Sequence, residues 1–517
     1  MCVSPKVRFF MVPLALACLL SSGCGGGSSD SASETTTAIA GTVTAGPVDG
    51  CSLSVLDLSG TSVADPVTTS QGGFTVNIPD SHLDEDLVLE CTGGTFTDEA
   101  TGETTMAGTL SAHVTMNSLS AGSEIHLTPG STVIRGLIQA GLNQTEAESA
   151  FSGAFGFTPD PTVAPNLNGD GSEEQNLAGL RTGAFSRLTA ELGHGPADQF
   201  NLLAAITEDL AADSMLDGVG ATTMTLSPDL GNRFAGCLIS QGSAMGLTAD
   251  HLGTLPLATI AETATYRIQY QPGMMGAMQG KTQFKLTITD RATGTPVTGA
   301  TLMLMPTMAM ASMSHGTPVD TITELGDGVY QCTVYYLMAS TMNGMSAGYW
   351  SLKITANGES ATFHPNVMMA MGDTTRATLK DANDMIAGMM GQPAQIRSYY
   401  LFKDSLSGDT GNHTFQLFIA TRESMMNHPA LAVGQALTDE NGQSWTVDTV
   451  TVEVSTDSGV TWTAMVDGSN GHWSVTGLSG LTTGESATIL VRLTINGVEK
   501  TGNGEAGGDP ASFTVTP

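Results

Sequence analysis

Gly73-Phe74-Thr75-Val76-Asn77-Ile78 alternates apolar and polar side chains with a period of two, which places Phe74, Val76 and Ile78 on one face of an extended strand. Similar short runs, separated by Gly and Asp turns, lie upstream at Ile39-Ala40-Gly41-Thr42-Val43 and at Ser52 to Leu56, so residues 38–120 read as a small β-sandwich. Downstream the period changes. Thr128-Pro129 supplies a cap and a first-turn proline ahead of Val133, Ile134, Leu137 and Ile138. Thr145-Glu146-Ala147-Glu148 has capping-box spacing before Phe151. Leu177, Leu180, Ala184, Phe185, Leu188 and Leu192 recur at helical spacing and stop at Gly193. Residues 121–262 therefore read as a helical domain. Strands resume at Ala264-Thr265-Tyr266-Arg267-Ile268-Gln269-Tyr270 and fill 263–380.

Residues 381–397 read as a short helical or linker piece. The pattern is then β again over 398–517, through Phe415-Gln416-Leu417-Phe418-Ile419, Val450-Thr451-Val452-Glu453-Val454 and Thr488-Ile489-Leu490-Val491-Arg492-Leu493. Turn signals about every 10 residues suggest an immunoglobulin-like sandwich there. The expected fold class is multidomain and mainly β, with three β-sandwich or Ig-like modules and one inserted all-α domain. The 517 residues carry a formal net charge of −32, with Lys+Arg 18 against Asp+Glu 50. No basic stripe is available to displace counterions from phosphates, which excludes nucleic acid as a partner and argues against docking on anionic lipid through charge.

The first segment is an address. Lys6 and Arg8 precede the apolar run Phe9 to Leu20, and Ser21-Ser22-Gly23 follow, which makes 1–23 a secretory signal. Leu20-Ser21-Ser22-Gly23-Cys24 resembles the lipobox of bacterial lipoproteins, with the leucine four residues before the cysteine instead of three. That resemblance implies lipidation of Cys24 and a membrane partner through the lipid, and Gly25 in place of Asp implies the outer membrane. Residues 24–37 then form a flexible tether. In an exported chain thiols tend to pair. Cys51 and Cys91 end strand-like runs in one small domain, which predicts a Cys51–Cys91 disulfide. Cys237 and Cys332 are left open between a bridge linking two domains and two buried free thiols.

Methionine carries the functional argument. Of 27 methionines, 17 lie between residues 274 and 390. Ordinary core use would spread methionine and favour Leu, Ile or Val. In Met303-Leu304-Met305-Pro306-Thr307-Met308-Ala309-Met310, alternation puts Met303 and Met305 on one face. Pro306 is expected to end the strand, leaving Met308, Met310, Met313 and His315 on a loop where sulfurs converge. Met274, Met275 and Met278, with Met342 and Met345, are the further candidate ligands. A neutral, soft thioether suits Cu(I) and not Zn, Mg or Ca, so copper is the expected cofactor. His315, or His364 near Met368 and Met369, could add nitrogen, and Met425, Met426 and His428 form a lesser cluster. Against this stand gap-filling, sacrificial oxidation and an adaptable docking surface.

Phe284-Lys285-Leu286-Thr287-Ile288-Thr289-Asp290, Thr295-Pro296-Val297-Thr298-Gly299-Ala300, the Met-Pro stretch, Glu324 to Tyr330 and Gly348-Tyr349-Trp350-Ser351-Leu352-Lys353-Ile354 together resemble the YtkA-like β-sandwich domain over about 264–366. The resemblance implies copper handling or delivery, with a protein partner for copper transfer. Gly41-Thr42-Val43 and Gln71 to Val76 are similar to the carboxypeptidase-regulatory-like sandwich, which implies a spacer. The alternative is a non-enzymatic structural or adhesive surface lipoprotein whose methionines pack or bind a partner protein.

No catalytic residue is expected. Gly502 to Gly507 fits a dinucleotide glycine pattern with no helix after it, and Asn166 to Gly171 starts like a calcium loop but has Leu177 where a bidentate Glu is needed. Ser455 to Trp462 reads as a structural hairpin. No His-Glu-x-x-His, Cys-x-x-Cys or Gly-x-Ser-x-Gly occurs.

Overall fold

The computed structural model describes residues 34–388 and 392–517. The segment read as a signal, the expected lipidation site Cys24 and most of the expected tether lie outside those residues, as do Met389 and Met390. The fold is mainly β with a group of helices near the N-terminal end.

The first sheet orders Gly73–Pro79, Thr36–Val43 and Glu124–Leu127, and the second orders Val67–Thr68, Ser52–Asp57, Leu87–Thr92 and Thr109–Val114. Phe74, Val76 and Ile78 all point inward while Thr75 and Asn77 face solvent. Cys51 and Cys91 form a disulfide with a Cα–Cα distance of 5.8 Å. Thr128 and Ser131 cap the helix Pro129–Gln139 reciprocally. The next helix, Gln144–Phe155, is capped by Asn143 with Glu146, not by Thr145. Asn accepts the third backbone N–H as well as Thr does, and a Glu stands three residues after each, Glu146 after Asn143 and Glu148 after Thr145, so the spacing alone does not choose.

Phe151, Phe155, Phe185 and Phe234 interlock where the helices Gln144–Phe155, Glu173–Glu191 and Leu230–Ala244 meet. The apolar core runs without a break from Ile39 to Leu255. Sandwich and helices, divided in sequence at 120/121, share that core because the helix Pro129–Gln139 lies on the strand Thr109–Val114, where Ser131 Oγ donates to the Ser111 carbonyl at 2.8 Å.

A five-stranded sheet, in the order Ile260–Glu262, Tyr266–Pro272, Gly280–Asp290, Val329–Tyr336 and Thr323–Gly326, faces a four-stranded one. The latter runs Ser314–Gly316, Leu302–Ala309, Tyr349–Ala356 and Glu359–Phe363. Tyr270, Phe284 and Leu286 meet Met308, Trp350 and Leu352 between the layers.

The piece read as a linker, 381–397, is strand at both ends. Arg376–Ile386 pairs with Gln395–Asp409 at the edge of the last sandwich. Polar residues concealed it. Asp384 is buried because Arg397 Nε donates to its Oδ1 at 2.9 Å and Tyr399 donates to its other oxygen. Lys500 Nζ reaches Asp381 at 2.7 Å. Paired charges are the form in which such residues are tolerated inside. The sheet continues through Asn412–Thr421 and His472–Leu478, opposite Val450–Ser455, Ala487–Ile495 and Ala511–Val515.

The middle and last sandwiches are joined. Tyr335 stacks on Phe418 with ring centroids 4.1 Å apart, its hydroxyl donates to Asp404 at 2.7 Å, and Lys281 pairs with Asp404 at 2.7 Å. Among the described residues no helix is long and apolar enough to cross a membrane.

Candidate metal centre

Alternation governs where the sulfurs go. In the strand Leu302–Ala309, Leu304, Pro306 and Met308 face the core, and Met303 and Met305 face out. Pro306 does not end that strand. It pairs opposite Leu352, and the neighbouring strand Ser314–Gly316 begins to pair only at Thr307, so the proline occupies a half-open edge where a missing N–H is tolerated. The expected Met loop is therefore divided between two faces. Met303 and Met305 are 54% and 47% exposed, whereas Met308 is fully buried.

The other sulfurs meet only locally. Met310 is half-buried and its N–H donates to the Met313 carbonyl at 2.9 Å, with Met313 exposed. Met342 and Met345 face each other across an exposed hairpin. Met274 and Met275 are exposed, and Met278 forms a bridge with Met368. The eleven candidate ligands do not gather at one centre, because a sheet sends successive side chains to opposite sides.

One pair does converge. His315 lies directly across the ladder from Met308, is 9% exposed, and has its Nε2 3.2 Å from Met338 Sδ. Its Nδ1 is 2.8 Å from the Gly316 carbonyl oxygen. A carbonyl only accepts, so Nδ1 carries the proton and Nε2 presents a lone pair. A thioether has no proton to offer. Two lone-pair donors thus face each other in a buried site, an arrangement that a soft cation satisfies and that neither group satisfies for the other.

A second nitrogen held on a backbone carbonyl is the usual setting of a metal-binding histidine. Burial keeps the imidazole neutral by pushing its pKa below the ordinary 6.5. Trp350 closes the site. Its ring meets His315 edge to face at 5.4 Å, and its Nε1–H donates to the Met338 carbonyl at 3.1 Å, fixing the residue that carries the sulfur. Sequence reasoning named His315 but not Met338 as a ligand. The signal was a methionine just after the buried strand Val329–Tyr336, beyond any local spacing from residue 315.

His364 lies elsewhere, with Nδ1 3.3 Å from Ser351 Oγ, and burial holds its pKa at about 4. Cys237 and Cys332 are free and buried. Burial pushes the Cys332 thiol up to about 12, so it stays protonated. Among the described residues no group of three or more His, Cys, Asp or Glu could hold a metal ion.

Residues 260–345 match the family model described as YtkA-like, so the chain carries a YtkA-like domain there. No curated protein matches the sequence. Among solved structures, the Escherichia coli adhesin FdeC aligns at 16% identity and TM-score 0.15, over 50% of this chain and 66% of its own length. Domains 5–6 of the S-layer protein SbsC align at 14% identity and TM-score 0.16, over 50% and 97%. Invasin, a bacterial integrin-binding protein, aligns at 13% identity and TM-score 0.15, over 51% and 60%.

Proposed function

We propose that this chain is an exported, non-enzymatic envelope protein, anchored through lipid on Cys24, whose YtkA-like domain holds Cu(I) at His315 and Met338 for handling or delivery to a partner. The carrying observation is the imidazole lone pair set 3.2 Å from a thioether sulfur, with the other ring nitrogen occupied by a carbonyl. The donor set fits a soft monovalent ion, since it is neutral and offers no carboxylate to a hard cation. A disulfide in the first sandwich supports the exported reading.

The test is a titration of the chain with Ag(I), an air-stable stand-in for Cu(I), and with Cu(I) against a competing chelator. One equivalent is expected to bind, with loss on Met338→Leu and no change on Met303→Leu with Met305→Leu. No stoichiometric binding, or full affinity in Met338→Leu, would overturn the proposal. The outward Met303 and Met305 favour the second reading, a surface scaffold with an adaptable docking face. That reading gains if metal binding is absent and partner capture is lost on replacing those two.

A further inference from the structure

We infer that the centre is shared between two domains, with His428 of the last sandwich joining His315 and Met338 so that a bound soft ion clamps the two sandwiches together. The inference rests on the copper reading above and adds a ligand outside the matched residues 260–345.

His428 is 7% exposed, and among the described residues its Nδ1 has no hydrogen-bond partner. A buried ring nitrogen left unpaired costs about 1–3 kcal/mol, so such groups are normally satisfied. The loop bearing it lies along the strand that carries His315. Gly316 N–H donates to the Met425 carbonyl at 2.7 Å, and a Cβ at residue 316 would fall 2.6 Å from the Met426 carbonyl oxygen. Only glycine at 316 permits that approach, which sets Met425 and Met426, on the loop that leads to His428, against Gly316 across the domain boundary.

On the His428 side Tyr400 packs with its ring centroid 5.8 Å away, and the Arg376 guanidinium sits over that same ring. Two imidazoles and a thioether make a neutral, soft donor set suited to a monovalent d10 ion.

The experiment is an Ag(I) titration, as the nitrate, of the chain and three variants. His428→Gln is expected to weaken binding about 100-fold, beyond the lower range for loss of an outer-shell partner, and to match Met338→Leu. Full affinity in His428→Gln with loss in Met338→Leu would overturn the shared centre and leave the copper reading standing. No stoichiometric binding by the unaltered chain would overturn both. His194→Gln, far from the centre, is the control. Should His428→Gln fail to fold, imidazole nitrogen NMR of the unaltered chain decides. Ag(I) must shift the His428 resonances together with those of His315, and a shift at His315 alone refutes the inference.

Discussion

Acidification probes the buried histidines, and His364 gives the cleanest case. It follows the strand Glu359–Phe363, is 6% exposed, and touches Ser351 Oγ with one nitrogen. Burial lowers its pKa from 6.5 to about 4. The unfolded chain therefore binds the proton near pH 6.5, while the folded chain refuses it until about pH 4. The contribution to stability is constant above pH 6.5, declines as pH falls through 6.5, and levels off below about 4. At pH 5 the unfolded state is favoured by one and a half pH steps, at about 1.4 kcal/mol each, or about 2 kcal/mol.

Many carboxylates titrate over the same range, so the comparison is with His364→Gln, which cannot take the proton. Urea unfolding is followed by tryptophan fluorescence, to which Trp350 in the core of this sandwich and Trp445, Trp462 and Trp473 in the last one all contribute. Wild type is expected to lose about 2 kcal/mol more than His364→Gln between pH 7 and pH 5. Parallel profiles for the two proteins would refute the reasoning, because they would mean that water reaches the ring in the folded state.

Three other outcomes are expected. Met308→Ala should cost about 2–5 kcal/mol by leaving a cavity between the two sheets, whereas Met303→Ala and Met305→Ala should each change stability by less than about 0.5 kcal/mol; equal effects in urea unfolding would contradict the assignment of faces. Arg397→Leu should cost about 3–5 kcal/mol, because it strands the buried Asp384 and the partly buried Glu423 carboxylates that the guanidinium pairs. A thermal transition of the last sandwich unchanged by that substitution would refute the network. Reducing the Cys51–Cys91 disulfide, at a sequence separation of 40, should destabilise the first sandwich and its helices by about 4 kcal/mol. Equal unfolding midpoints with and without reductant would refute it.

Local period was a reliable guide wherever the side chains matched their surroundings. Phe74, Val76 and Ile78 bury as their alternation requires, and Thr128-Pro129 starts a helix. It failed where a distant partner reversed the local signal. Asp381 and Asp384 made a strand look like a linker because their partners Lys500 and Arg397 are invisible to a local window. Pro306 looked like a strand end because nothing nearby in sequence shows that the strand is unpaired on one side there.

Read alone, the residues determined a mainly β chain, the position of its helical segment and the stretch where sulfur concentrates, since these depend on composition and on backbone periods of two and 3.6. Which sulfur meets an imidazole was decided only by folding. Residues 315 and 338 meet through the packing of two sheets, and the loop at Met425 reaches Gly316 through the docking of two domains. Contacts of that range depend on how whole surfaces fit, and no spacing within one strand encodes them.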